Sequence, residues 1–141
     1  MNQDDIHAFF ARYREAFNRL DGDAVADLWH DASGIAHDGL QGGQLTWWAE
    51  DAPMRDNHRA LCALYRSKGY DRADFEIADL VPMGRHHAFA HLLWTLSRAD
   101  GSVLQRFHTG YQLLRTDHGI RVLLATAYQE DLTEMKRHAA Q

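Results

Sequence analysis

The stretch from Phe75 to Asp131 constrains the fold more than any other part of the chain. It holds four successive runs of apolar-alternating residues, FEIADLV, HAFAHLLWTLSR, SVLQRFHTGYQLLR and IRVLLATAY. Asp100-Gly101 separates the second run from the third, and Asp117-His118-Gly119 the third from the fourth. Asp-Gly between alternating runs suits a hairpin turn whose central residues take positive φ. This half of the chain therefore reads as four strands of an antiparallel meander. Pro82, late in the first run, has no N–H to give a ladder and must stand at an edge or at the strand's end.

The turns imply a register. A tight turn at Asp117-His118 sets Arg115 opposite Ile120, Leu113 beside Val122, Tyr111 beside Leu124, Thr109 beside Thr126 and Phe107 beside Tyr128. The Asp100-Gly101 turn adds Trp94 across from Phe107 and Leu92 across from Thr109. This face is apolar with hydroxyls and is expected to meet the helices and any cavity. The other face carries Arg106, His108, Gln112, Arg121 and Gln129 among Phe89, His91 and Leu93. Phe89, Leu93 and Leu123 suit a sheet-to-sheet homodimer contact. A bulge in any strand would invert the assignment beyond it.

Upstream, Ile6, Phe9, Phe10, Tyr13, Phe17 and Leu20 recur at three- and four-residue steps and predict a helix over 4–20. Asp4 or Asp5 is expected to cap its start. Asp21-Gly22-Asp23 breaks the chain, and Asp23 suits the cap of a second short helix with Val25, Leu28 and Trp29 inward. Ser33 to His37 and Leu45 to Trp48 read as a short strand pair around Asp38-Gly39 and Gly42-Gly43. Asp51-Ala52-Pro53 opens a third helix, with Met54, His58, Leu61 and Tyr65 on one face and Gly69 just past its end.

Bulk properties narrow the function. The chain has 141 residues and a net charge of −5 with neutral histidines. One domain over 1–141 is expected. The basic residues are scattered, which argues against a nucleic-acid partner and against docking on a membrane surface. No apolar run reaches membrane-spanning length. Cys62 is the single cysteine, so no internal disulfide forms, and it reads as inert packing. The N-terminal MNQDDIHAFF is acidic where a signal peptide would be basic, so a cytoplasmic protein is expected. No dinucleotide fingerprint, phosphate loop or Ser-His-Asp arrangement is present, and no cofactor is expected. No histidine spacing fits a metal site; His86 and His87 point to opposite faces of a strand.

Two or three helices, a short strand pair, a third helix and a long meander resemble the nuclear transport factor 2-like superfamily. The residues that carry the resemblance are FFARYREAFNRLDGDAVADLWHDAS, RSKGYDRADFEIADL and GYQLLRTDHGIRVLLATAY. The last is similar to the family's usual ending, with Ile120 where a tryptophan is usual. The resemblance implies an α+β fold, a cone-shaped curved antiparallel sheet wrapped around two or three N-terminal helices (a cystatin-like roll). It covers nearly the whole chain but spans polyketide cyclases of the SnoaL-like kind, isomerases, dehydratases and binding proteins. On the ketosteroid isomerase pattern, the helix-one tyrosine falls on Tyr13 and the carboxylate base near Ala36-His37-Asp38. The second acid falls near Tyr111 or Gln112, where no carboxylate stands.

The candidate catalytic residues are thus Tyr13, His37 and Asp38. Tyr13 is either a hydrogen-bond donor to an oxyanion or ligand carbonyl, or a core tyrosine bonded to a backbone carbonyl. His37 and Asp38 form either a base with its orienting partner, or an ordinary turn. Trp47, Trp48, Met54 and His58 are expected around the open end of the cone, and Trp29, facing inward, is a further ligand-binding candidate. Trp94, Phe107, Thr109, Tyr111, Thr126 and Tyr128 are expected on the inner sheet face. Together they suit a small apolar or aromatic molecule. The expected function is a cofactor-free isomerase, cyclase or dehydratase; the alternative is a non-catalytic binding or dimerising module of the same fold.

Overall fold

A computed structural model describes residues 1–131 and 133–135. Helix α1 spans Gln3–Asn18, α2 Gly22–Ala26 and α3 Asp51–Ser67. The strands are β1 Trp29–Gly39, β2 Gly42–Trp48, β3 Tyr70–Met83, β4 His87–Arg98, β5 Val103–Thr116 and β6 Gly119–Tyr128. They form one six-stranded sheet in the order β2-β1-β6-β5-β4-β3. All neighbours are antiparallel except β1 and β6, which run parallel. The sheet is curved and unclosed, and the helices pack against its concave face, giving the α+β cone expected from the sequence.

Helix α1 follows its apolar stripe, burying Ile6, Phe9, Phe10, Tyr13 and Ala16. Its cap differs from the expected aspartates. Asn2 accepts from the Asp5 N–H at 2.8 Å, and the Asp5 carboxylate accepts from the Asn2 N–H at 3.1 Å. This reciprocal pair satisfies two donors that the helix leaves open. At α2 the cap is Asp21, which accepts from the Ala24 N–H at 3.0 Å. Asp23 instead sits in the first turn, where its carboxylate meets Arg55 and Arg59. Gly22 lets α2 lie on α3, since a Cβ there would stand 2.6 Å from the Arg59 Cα.

Trp29 opens β1 rather than closing α2, and β1 runs six residues beyond the expected strand start and end combined, with Trp29 paired to Val122 of β6 at one end and Asp38 and Gly39 paired to β2 at the other. Helix α3 buries Met54, His58, Cys62 and Tyr65 along one stripe. It ends at Gly69, whose φ of +81° a side chain would strain. Strand β3 is an edge, which accommodates Pro82 one residue before its end.

The β4–β5 register places Trp94 opposite Phe107 and Leu92 opposite Thr109. Across β5 and β6, Arg115 faces Ile120 and Leu113 faces Val122. Beyond that point the expected register fails. Gln112 faces Leu124, Tyr111 faces Ala125 and Thr109 faces Ala127, so Leu123 is an extra, unpaired residue. Side chains alternate strictly, so one bulge sends everything beyond it to the other face. Leu124, Thr126 and Tyr128 therefore lie on the outer face, and Ala125 and Ala127 line the inner one.

Candidate functional site

The helices do not fill the cone. Between α1, α3 and the inner sheet face lies a cavity of about 270 Å³. Its walls are mainly aromatic and aliphatic, with Phe17 from α1, Leu61 and Tyr65 from α3, and Trp94 and Phe107 from the sheet. The apolar positions of α1 and α3 that recur at helical spacing point here, which is why the cavity is apolar. Small Ala125 and Ala127, brought inward by the bulge, leave room that Leu124 and Thr126 would have occupied.

Four hydroxyl-bearing residues line the same space, Tyr13, Tyr65, Thr109 and Tyr111. The Trp94 indole N–H donates to the Tyr111 hydroxyl at 2.9 Å. Tyr13 packs edge-on to Tyr111, with ring centroids 5.8 Å apart. Burial first, then the neighbouring Tyr111, raises the Tyr13 hydroxyl well above its ordinary range. Burial does the same to Tyr111. Both hydroxyls are therefore neutral donors rather than phenolates. The Trp29 indole N–H lies near enough to the Tyr13 hydroxyl to favour its ionised form slightly, without a hydrogen bond of ordinary geometry.

His58 also lines the cavity, its ring 4.5 Å from that of Trp29. Burial, aided by the positive charge of Arg55, lowers its pKa to about 4, so it is neutral. Arg55 itself is held on the surface by Asp23, Asp27 and Asp51.

At the mouth, His37 Nδ1 stands 3.0 Å from Glu130 Oε1. Gln105 donates through Nε2 to the other carboxylate oxygen at 3.2 Å. A carboxylate only accepts, so Nδ1 carries the proton of this contact, and Nε2 has a lone pair to offer whenever the ring is neutral. All three side chains line the cavity. An imidazole oriented by a carboxylate is the arrangement of a general base.

Of the expected site residues, Tyr13, His37, Trp29, His58, Trp94, Phe107, Thr109 and Tyr111 line this one cavity. The others are displaced. Asp38 neighbours His37 on β1, so it points to the opposite face and is exposed. It lies instead in a shallow outer depression with Thr126 and Tyr128, the two residues moved by the bulge. The Tyr128 hydroxyl bonds His91 Nε2, which stands 3.2 Å from His108 Nδ1. Trp47 is half-exposed against Gly34, also on the outer face. Trp48 is partly buried, its ring 6.3 Å from that of His58, but outside the cavity wall. Met54 is fully buried behind the wall.

Three polar members were not expected from the sequence: Asn57, Gln105 and Glu130. Gln105 was legible, since it shares the parity of Phe107 and Thr109 on β5. Glu130 was not, because it follows the end of β6. Gln129, at a φ of +51°, turns the chain so that Glu130 returns to the mouth. Among the described residues, no three His, Cys, Asp or Glu side chains gather as a metal site, and no helix is long and apolar enough to cross a membrane.

A curved sheet wrapped on three helices around a part-polar cavity defines a protein of the nuclear transport factor 2-like class. The chain matches the sequence model described as NTF2-like protein (DUF6841) over residues 3–130, and it belongs to that family. No curated protein matches it. Among solved structures it is similar to an NTF-2 like protein of unknown function from Shewanella oneidensis. The TM-score is 0.71 at 16% identity, covering 92% of this chain and 100% of that one. A cystatin-like domain of unknown function from Nostoc punctiforme gives 0.70 at 14% identity, over 99% and 86% of the two chains. A ketosteroid isomerase-like protein from Erwinia carotovora atroseptica gives 0.65 at 18% identity, over 91% and 97%. These likenesses establish the fold.

Proposed function

We propose that the cavity binds a small apolar or aromatic molecule and that the protein moves a proton on it without a cofactor, as an isomerase, cyclase or dehydratase does. The observation that carries this reading is the His37–Glu130 pair at the mouth of a cavity that also holds the neutral hydroxyls of Tyr13 and Tyr111. His37 Nε2 takes a proton from a carbon beside a carbonyl. Glu130 holds the ring in the right tautomer and stabilises the imidazolium that forms. The tyrosine hydroxyls donate to the oxyanion as charge develops. The ketosteroid isomerase-like neighbour is consistent with such chemistry on this fold.

The test is turnover of small carbonyl compounds. Once one is converted, His37→Gln and Glu130→Gln are each expected to lower kcat by about a hundredfold. Asp38→Asn, on the outer face, is expected to leave it unchanged. Wild-type rates in both the His37 and Glu130 variants would remove the mechanism. Binding with thermal stabilisation and no product from any compound would mark the cavity as a non-catalytic binding site.

The same reading includes a second copy of this chain on the outer sheet face, where Phe89, Leu93 and Leu124 are partly buried and Trp47 is half-exposed. It has no nucleic-acid partner and works in the cytoplasm. Sedimentation at micromolar concentration is expected to show a dimer, and a strictly monomeric boundary would count against that part.

A further inference from the structure

Five buried side-chain atoms make no hydrogen bond of ordinary geometry among the described residues: Trp29 Nε1, Ser33 Oγ, His58 Nδ1, His58 Nε2 and Thr109 Oγ1. Trp29 lies close enough to Tyr13, and Thr109 to Tyr111, to act on their hydroxyls, whereas the two His58 nitrogens have no such neighbour. Four of the five belong to Trp29, His58 and Thr109, which line the one cavity from β1, α3 and β5. Their exposures are 3%, 1% and 3%, so bulk water does not serve them. Folded proteins satisfy nearly all buried polar groups, because an unpaired one loses its water without compensation. Such groups gathered on the wall of a single cavity mark where a ligand's polar group belongs.

The residues also define what that group is. A neutral imidazole offers one N–H and one lone pair, the indole offers an N–H, and the threonine hydroxyl both gives and accepts. Among the described residues no lysine or arginine lines the cavity, so a buried carboxylate would find no counter-charge there. The one carboxylate among the described lining residues, Glu130, is at the mouth and already bonded to His37 and Gln105. A cation at the inner end would likewise stand unpaired. The volume of about 270 Å³ exceeds the roughly 150 Å³ that admits benzene and falls below the usual range for drug-sized ligands.

We propose that the wall formed by Trp29, His58 and Thr109 is a subsite for an uncharged hydroxyl or carbonyl group on a flat molecule of one or two rings, and that His58 selects for it. This rests on the reading of the cavity as a ligand site and adds the chemical class of the ligand. Four probes of one shape test it: naphthalene, 2-naphthol, 2-naphthoate and 2-naphthylmethylammonium. Each is titrated into the full chain at neutral pH, with affinity read by calorimetry and by the shift in Tm. The expected order is 2-naphthol tightest, about tenfold over naphthalene, with both ions weakest. In His58→Leu the tenfold preference is expected to vanish while naphthalene still binds.

Equal affinity for naphthalene and 2-naphthol would overturn the subsite and leave the cavity reading standing. Tightest binding of either ion would overturn the requirement for an uncharged group, again without touching the cavity. A folded His58→Leu that keeps the preference would overturn the role of His58. Binding of none of the four would remove the cavity reading and this inference with it.

Discussion

Acidification from pH 7 to pH 4 is expected to remove about 3 kcal/mol of folding stability through His58 alone. In the unfolded chain this imidazole titrates near its ordinary value of 6.5, whereas burial lowers it to about 4 in the fold. Between those two pH values the unfolded state binds a proton that the native state refuses. The unfolded state is therefore favoured progressively as pH falls through this window, and the effect is complete below about 4. The gap between 6.5 and about 4, at 1.36 kcal/mol per pH unit, is the origin of the figure of about 3 kcal/mol. Above pH 6.5 both states carry a neutral ring and His58 adds no pH dependence.

The measurement is the urea midpoint at several pH values for the wild type and for His58→Leu. The wild type is expected to lose stability between pH 6.5 and 4 where the variant stays flatter by that amount. Asp23 and Asp51, whose carboxyls Arg59 and Arg55 hold below the usual carboxylate range, act at lower pH and are common to both proteins. At neutral pH the leucine is expected to be tolerated, since it replaces an imidazole whose two nitrogens have no protein partner. Identical pH profiles would show that the imidazole is not buried as described.

Replacing Phe10 with alanine is expected to cost about 3–5 kcal/mol, enough to bring an ordinary domain near its unfolding threshold. Phe10 is fully buried at the centre of α1. Its ring lies 4.8 Å from that of Tyr111, 5.1 Å from Phe9, 5.9 Å from Tyr13 and 6.1 Å from Phe75. It therefore joins the first helix to both β3 and β5, and alanine would leave a void that neither strand can close without shifting. Phe10→Leu, which keeps most of the volume, is expected to cost about 1 kcal/mol. Guanidinium denaturation of the three proteins checks this, and a loss below 1 kcal/mol in the alanine variant would mean that α1 does not seal the cone. Because Phe10 packs on both Tyr13 and Tyr111, the alanine variant is also expected to weaken probe binding.

Much of the architecture could be read in one dimension because the forces that set it act over a few residues. The apolar stripe of Ile6, Phe9, Phe10 and Tyr13 needs only helical spacing to declare a helix and its buried face. Asp100-Gly101 and Asp117-His118-Gly119 need only local backbone preferences to place the hairpins. With those in hand, Trp94, Phe107, Thr109 and Tyr111 fall on the inner face by alternation alone.

The remainder depended on which strands meet. Leu123 bulges because β6 must pair with β5 on one side and run parallel to β1 on the other, and no residue in IRVLLATAY marks that position. That one unpaired residue moved Thr126 and Tyr128 out of the site and brought Ala125 and Ala127 in. His37 and Glu130 lie 93 residues apart and meet only because β1 and β6 are neighbours in the sheet. Helix, turn and strand are short-range choices written in spacing and propensity, so they survive a reading of the chain alone. The His37–Glu130 contact and the polar wall around His58 join distant segments, and such contacts exist only once burial and sheet order have brought the segments together.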